Sequence, residues 1–233
     1  METAYRDRHD AGKRLAERLR AYAHRLDVLV LALPRGGVPV AYEVARALKV
    51  PLDVFIVRKL GVPSHEEFAM GAIASGGIRV LNNDVTRALH IPERVVEEVT
   101  AGEQRELERR EQLYRDDRPA PDVKGRTVIL IDDGLATGAT MRAALQALRQ
   151  QQPARLIVAV PVAAPSTCLE FLGEADDIVC AFTPDPFFAV GLWYQNFEQT
   201  SDQEVHDLLA QTAQELQTQP HNPSPTQGRE RRL

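Results

Sequence analysis

The stretch Val128 to Thr140, VILIDDGLATGAT, narrows the choice of fold more than any other part of the chain. Its apolar opening is the short, continuous run of a strand buried on both faces, as in parallel sheets. That run delivers Asp132 and Asp133 to the carboxyl end of the strand, where open α/β sheets bind their ligands. A turn containing Gly134 and Gly138 follows, and a helix pattern opens near Thr140. Successive N–H groups in such a turn, backed by a helix N-terminus, form a cradle for a phosphate. Glycine lets the backbone approach the anion, and the hydroxyls of Thr137 and Thr140 can add hydrogen bonds. The acidic pair would repel that phosphate; its natural partners are vicinal sugar hydroxyls, which donate hydrogen bonds to carboxylates. A phosphate and a diol side by side describe a ribose 5-phosphate. The segment lacks the closing Gly-Lys-Ser/Thr of a nucleotide P-loop, and no GxGxxG occurs in the chain.

The rest of the pattern agrees with a parallel sheet. Buried-strand runs occupy 27–34, 52–57, 126–131, 155–163 and 177–182, with helix patterns at 5–22, 38–50 and 140–150. Strand–helix–strand succession implies right-handed crossovers, with helices on both faces of the sheet. Segment 60–72, broken by two glycines and a proline, reads as a loop. Segment 71–82 reads as a hairpin turning at Gly76-Gly77. From Ile91 to Arg115 a proline-started, highly charged helix carries Glu106→Arg110 and Glu111→Arg115 pairs and only a thin apolar stripe. SDQE at 201–204 is a capping box that opens a last helix to about Leu216. Residues 217–233 contain no apolar residue before Leu233 and are expected to be a disordered tail on a domain spanning 1–216.

With 233 residues, 44% of them hydrophobic, the chain is long enough for one such domain with a substantial core. A net charge of -5 gives no electrostatic case for nucleic acid or a membrane surface as partner. No run of 18 apolar residues and no signal peptide is evident. Cys168 and Cys180 lack metal-type spacing, so two reduced thiols in the cytoplasm are expected.

The 128–140 segment closely resembles the signature of the type I phosphoribosyltransferase family: a hydrophobic strand, two acidic residues and a Thr-Gly loop. The resemblance runs from about Tyr5 to Leu209. It implies a mainly parallel α/β sheet with a small hood, and a ligand, 5-phosphoribosyl-1-pyrophosphate (PRPP), bound with Mg²⁺. Asp132 and Asp133 would hold the ribose hydroxyls, with the metal near them directly or through the ligand, and Ala136, Thr137, Gly138, Ala139 and Thr140 the 5-phosphate. LPRGGVPVA (33–41) is similar to the family's pyrophosphate loop, in which an often cis non-proline peptide exposes N–H groups; Arg35, Gly36 and Gly37 are its matching residues. VRKLGVPSHEEFAMGAI (57–73) is similar to the strand and mobile catalytic loop. Arg58 and Lys59 lie at its base, and His65, Glu66 and Glu67 in a lid, where one glutamate would serve as proton shuttle. PDPFFAVGLWYQNFEQ (184–199) looks like the hood of purine-salvage members, in which Phe188 would stack on a base with Val190 and Trp193 beside it.

Two departures narrow the acceptor. Transferases for 6-oxopurines carry an aspartate where this chain has Ala136. They also place a lysine ahead of the hood, and no lysine follows Lys124 here. The resemblance thus implies transfer of the 5-phosphoribosyl group from PRPP to a small nitrogenous base left unnamed, by a monomer or a homodimer. A PRPP sensor without turnover is the alternative.

Overall fold

The computed structural model describes residues 4–63, 65–116 and 118–217, with the side chains of Glu66, Glu67 and Gln217 excepted. The tail assigned to 217–233 lies outside the described residues, apart from the backbone of Gln217.

Eight strands and seven α-helices follow one another among these residues. Helix α1 (Arg8–Arg18) precedes strand β1 (Val28–Ala32), helix α2 (Gly37–Leu48) and strand β2 (Leu52–Val54). Strands β3 (Val57–Val62), β4 (His65–Ala74) and β5 (Ile78–Leu81) come next, then helices α3 (Asn83–Ala88) and α4 (Glu93–Arg115). The remainder is β6 (Thr127–Ile131), α5 (Ala139–Gln150), β7 (Arg155–Val162), α6 (Pro165–Glu170), β8 (Asp177–Phe182) and α7 (Asp202–Gln217).

Five of the strands form a parallel sheet in the order β2-β1-β6-β7-β8. Alternate side chains leave it on opposite faces, as a strand's period of two requires. Val30, Ala32, Ile129, Ile131, Ile157 and Ala159 pack with α1, α2, α4 and α7. Leu29, Leu31, Val128, Leu130, Leu156 and Val158 pack with α5 and Phe171. Both faces are therefore buried, which is why these strands are continuous apolar runs. Chain order reverses between β1 and β6, and the loops leaving their carboxyl ends meet there.

The small subdomain is an antiparallel sheet, β3-β4-β5. The loop expected over 60–72 is corrected here: it is the β3–β4 hairpin, with Val62 paired to His65 across its tip. Its glycines have structural reasons other than looping. Gly61 sits where the register shifts, the habit of a bulge. Gly71 sits where a Cβ would lie 2.4 Å from the Val80 carbonyl oxygen, so only glycine lets β4 and β5 approach. The hairpin turning at Gly76-Gly77 is present, with both glycines at positive φ. Ser201 caps α7 as its sequence implied, its Oγ accepting from the Glu204 N–H at 3.1 Å.

The expectation of two reduced thiols is also corrected. Cys168 on α6 and Cys180 on β8 are joined by a disulfide. Twelve residues separate them in sequence, but α6 folds back on the edge strand and brings their Cα atoms to 6.6 Å, within bridging range. Among the described residues no helix is long and apolar enough to cross a membrane.

Candidate functional site

Two loops face each other at the switch point. After β1, residues Pro34 to Gly37 run into the N-terminus of α2, and the Pro34–Arg35 peptide is cis, as the resemblance implied. After β6, Asp132 and Asp133 lead through Gly134 and Leu135 to Gly138, which caps α5 at φ 72°. The loops are in contact: a Cβ on Gly36 would lie 2.1 Å from Asp133 Oδ2, and one on Gly37 would lie 2.7 Å from the Ile131 carbonyl oxygen. The loop ahead of α2 thus packs on the carboxylate pair, while the second loop runs on from that pair to the N-terminus of α5.

The acidic pair is half-buried. Asp132 Oδ1 accepts the Asp133 N–H at 2.8 Å. Burial, and next the charge of Asp133, push the Asp132 carboxyl well above the ordinary carboxylate range. Burial also raises Asp133, with Arg8 opposing it. Arg8 Nε and Nη2 lie 2.9 and 2.8 Å from Asp133 Oδ2. The Tyr194 hydroxyl donates to the Asp133 carbonyl oxygen at 2.5 Å. Neither residue was singled out by motif. Tyr194 lay inside the aromatic segment, whereas Arg8 is one of several arginines in the first helix, with no spacing to mark it.

The phosphate turn is braced from outside. Thr167 Oγ1 donates to the Ala136 carbonyl oxygen at 2.5 Å, and Arg142 Nη1 to that of Thr137 at 3.0 Å. Phe171 fills the space a Cβ on Gly138 would need. Ala136, Thr137, Ala139 and Thr140 stay exposed, so the concave side of the turn is open to a ligand.

Other expected residues fall in separate places. Arg35 reaches back towards α7, with Nη1 3.7 Å from Asp202 Oδ1. Lys59 lines a cavity of about 720 Å³ between the antiparallel sheet and α5, whose wall includes Ala139, Thr140, Arg87 and Arg142. Arg58, the next residue along the strand, points to the other side and pairs with Glu103 of α4 at 2.7 Å. His65 and the backbone of Glu66 and Glu67 lie at the start of β4, in the hairpin arm. Phe188 is 67% exposed, while Trp193 is buried with its indole N–H unpartnered among the described residues. Val190 abuts the acidic turn, its Cγ1 2.4 Å from where a Cβ on Gly134 would sit. The 184–199 segment is tied to the N-terminal residues by Ala4 and Tyr5 N–H groups donating to the Trp193 carbonyl oxygen at 3.1 and 3.0 Å. Among the described residues no group of three or more His, Cys, Asp or Glu side chains could hold a metal ion.

A doubly covered parallel sheet, with an acidic pair and two glycine-bearing loops at its switch point, defines an open-sheet α/β protein. A family model described as phosphoribosyl transferase domain matches residues 3–192, and the chain belongs to that family. The crystal structure of TT1426 from Thermus thermophilus superposes with a TM-score of 0.78 at 42% identity, covering 89% of this chain and 98% of that one. Two Mycobacterium tuberculosis proteins, "Putative phosphoribosyl transferase MT0597" (strain CDC 1551 / Oshkosh) and "Putative phosphoribosyl transferase Rv0571c" (strain ATCC 25618 / H37Rv), are each 48% identical over 203 residues, 87% of this chain. Those matches cover 46% of either relative, so the chain spans about half the length of the proteins it resembles there.

Proposed function

We propose that the chain binds PRPP with Mg²⁺ and transfers its 5-phosphoribosyl group to a nitrogenous base, releasing pyrophosphate. One observation carries this reading: the contact of Gly36 and Gly37 with Asp132 and Asp133, which sets the loop ahead of α2 against the acidic pair that opens the turn into α5. A ribose whose hydroxyls donate to the carboxylates can then send its 5-phosphate to the turn from Ala136 to Thr140. Its pyrophosphate then meets the loop of the cis Pro34–Arg35 peptide, at Arg35, Gly36 and Gly37. Mg²⁺ bound by ligand oxygens near Asp132 and Asp133 supplies charge neutralisation for the pyrophosphate, in keeping with this ion's preference for oxygen and water.

Positive charge grows at ribose C1 as the leaving group departs. Arg35, which would have to turn away from Asp202, and Lys59, from the β3–β4 hairpin, are the cations assigned to the negative charge that builds on the pyrophosphate. That hairpin serves as the lid, with Glu66 or Glu67 as the proton shuttle. The base enters on the opposite side, along the 184–199 segment, where Phe188 presents an exposed ring and Trp193 is buried. Supporting the assignment of a base site there is Val190, packed directly on the acidic turn.

Calorimetry with PRPP and Mg²⁺ on the wild type and on the double variant Asp132→Asn, Asp133→Asn tests the ligand. Each lost charge-assisted hydrogen bond is expected to cost about 1.5–3 kcal/mol, and unchanged affinity in the double variant would overturn the diol site. Pyrophosphate release over a panel of bases tests turnover. Binding without release for any base would make the chain a PRPP sensor.

A further inference from the structure

Arg8 lies where three walls of the proposed ligand site come together. Its guanidinium grips Asp133 Oδ2 through Nε at 2.9 Å and Nη2 at 2.8 Å. Its Nη1 donates to the Glu198 carbonyl oxygen at 2.6 Å. Its plane covers the Phe197 ring, 3.9 Å from the centroid. Phe197 in turn packs on Tyr194 at 5.0 Å, and Tyr194 donates to the backbone of Asp133. The glycine loop is in contact as well, since a Cβ on Gly36 would come within 3.3 Å of Arg8 Nε. One side chain thus touches the loop after β1, the turn after β6 and the 184–199 segment, although it belongs to none of them.

We infer that Arg8 is a positioning residue, which fixes the carboxylate of Asp133 for the ribose hydroxyls and locks the aromatic segment against the acidic turn. The geometry suits this role over a merely structural one. A guanidinium is a planar fork that can hold one carboxylate oxygen with two donors while stacking on a ring. Both of these donors fall on Oδ2, which leaves Oδ1 of Asp133 available to a hydroxyl. The Arg8 side chain is only 11% exposed, so its contacts are shielded from water and are not the weak surface pairs that contribute little. With Arg8 removed, the Asp133 carboxylate would lose its orientation, and Phe197 and Glu198 their tie to it, while the sheet beneath would remain.

This inference rests on the PRPP reading, and one set of measurements separates the two. PRPP affinity, PRPP KM and kcat, and melting temperature are measured for the wild type, Arg8→Lys and Arg8→Gln. Arg8→Gln is expected to weaken PRPP binding and raise KM about 10-fold or more, the scale of a lost charge-assisted hydrogen bond, with kcat changing less. Arg8→Lys, which keeps the charge but not the fork, is expected to fall between the two. A double cycle with Asp133→Asn is expected to be non-additive, because both changes break the same contact. If wild-type protein binds PRPP and Arg8→Gln binds it equally well, the positioning role is overturned and the ligand stands. Additive losses in the cycle, or a fall in melting temperature with no change in affinity, overturn it equally. A wild type that does not bind PRPP overturns the ligand reading, and this role with it.

Discussion

The proposed role of Asp132 and its surroundings pull against each other. A diol would need an ionised acceptor, yet burial and the neighbouring charge of Asp133 raise the Asp132 carboxyl well above its ordinary range. A raised acid holds its proton more tightly in the folded chain than in the unfolded one. Stability in the ligand-free state therefore falls as pH climbs from the ordinary carboxylate value, about 3.9, towards the folded one. Asp132→Asn removes that cost and keeps an oxygen for the Asp133 N–H. It is expected to melt higher than the wild type at pH 7, by about 2–4 °C for each kcal/mol recovered, with the gain shrinking towards pH 4 and PRPP affinity reduced. A gain that is absent, or the same at both pH values, would contradict this account. The strand end with its acidic pair and the two glycine-bearing loops were legible because a buried strand, a tight turn and a helix start each need particular residues in unbroken order. Arg8 was not, since its contact with Asp133 spans 125 positions and an arginine in an amphipathic helix looks like any solvated one.

Helix α4 shows how an element can carry more than its pattern suggests. Its Glu106–Arg110 and Glu111–Arg115 pairs are formed at 2.8 and 2.9 Å, as the spacing implied. The second pair is no surface ornament, because Arg115 is buried. Its Nε donates to Asp53 Oδ1 and its Nη2 to the Val54 carbonyl oxygen, both at 2.7 Å, binding the helix to edge strand β2. Burial raises the Asp53 carboxyl even with this partner, so loss of the arginine would leave an uncompensated charge. Arg115→Ala is expected to cost about 3–5 kcal/mol in urea denaturation; a cost within the range of an exposed pair would show that water already reaches the site. The parallel strands were readable as continuous apolar runs because both faces are covered. The β3–β4 hairpin was not, because its glycines serve a bulge and a close strand approach, and glycine alone does not announce which. Helices α3 and α6 have six residues each, too few for a helical period to repeat.

At the scale of the whole molecule, the Cys168–Cys180 disulfide fastens α6, the element that braces the phosphate turn through Thr167, to the edge of the sheet. A covalent tie across a short loop contributes about 2–3 kcal/mol by limiting the unfolded chain. Reductant such as dithiothreitol is expected to lower the melting temperature accordingly, and Cys168→Ser with Cys180→Ser should melt at that lower value with or without reductant. A wild type indifferent to reductant would argue against the bridge. The N-terminal joint has a consequence of a different kind. Residues 4–8 are held by residues 193–198: Gln195 N–H donates to the Tyr5 carbonyl oxygen, Asn196 N–H to that of Arg6, and Arg8 to Glu198 across 190 positions. A ribosome makes the first of these segments long before the second. Closing so wide a loop is entropically dear and kinetically slow, so residues 4–8 are expected to find these partners late, after the sheet has assembled. On that expectation the joint beside the acidic pair closes last, when the two distant segments meet over a scaffold already in place.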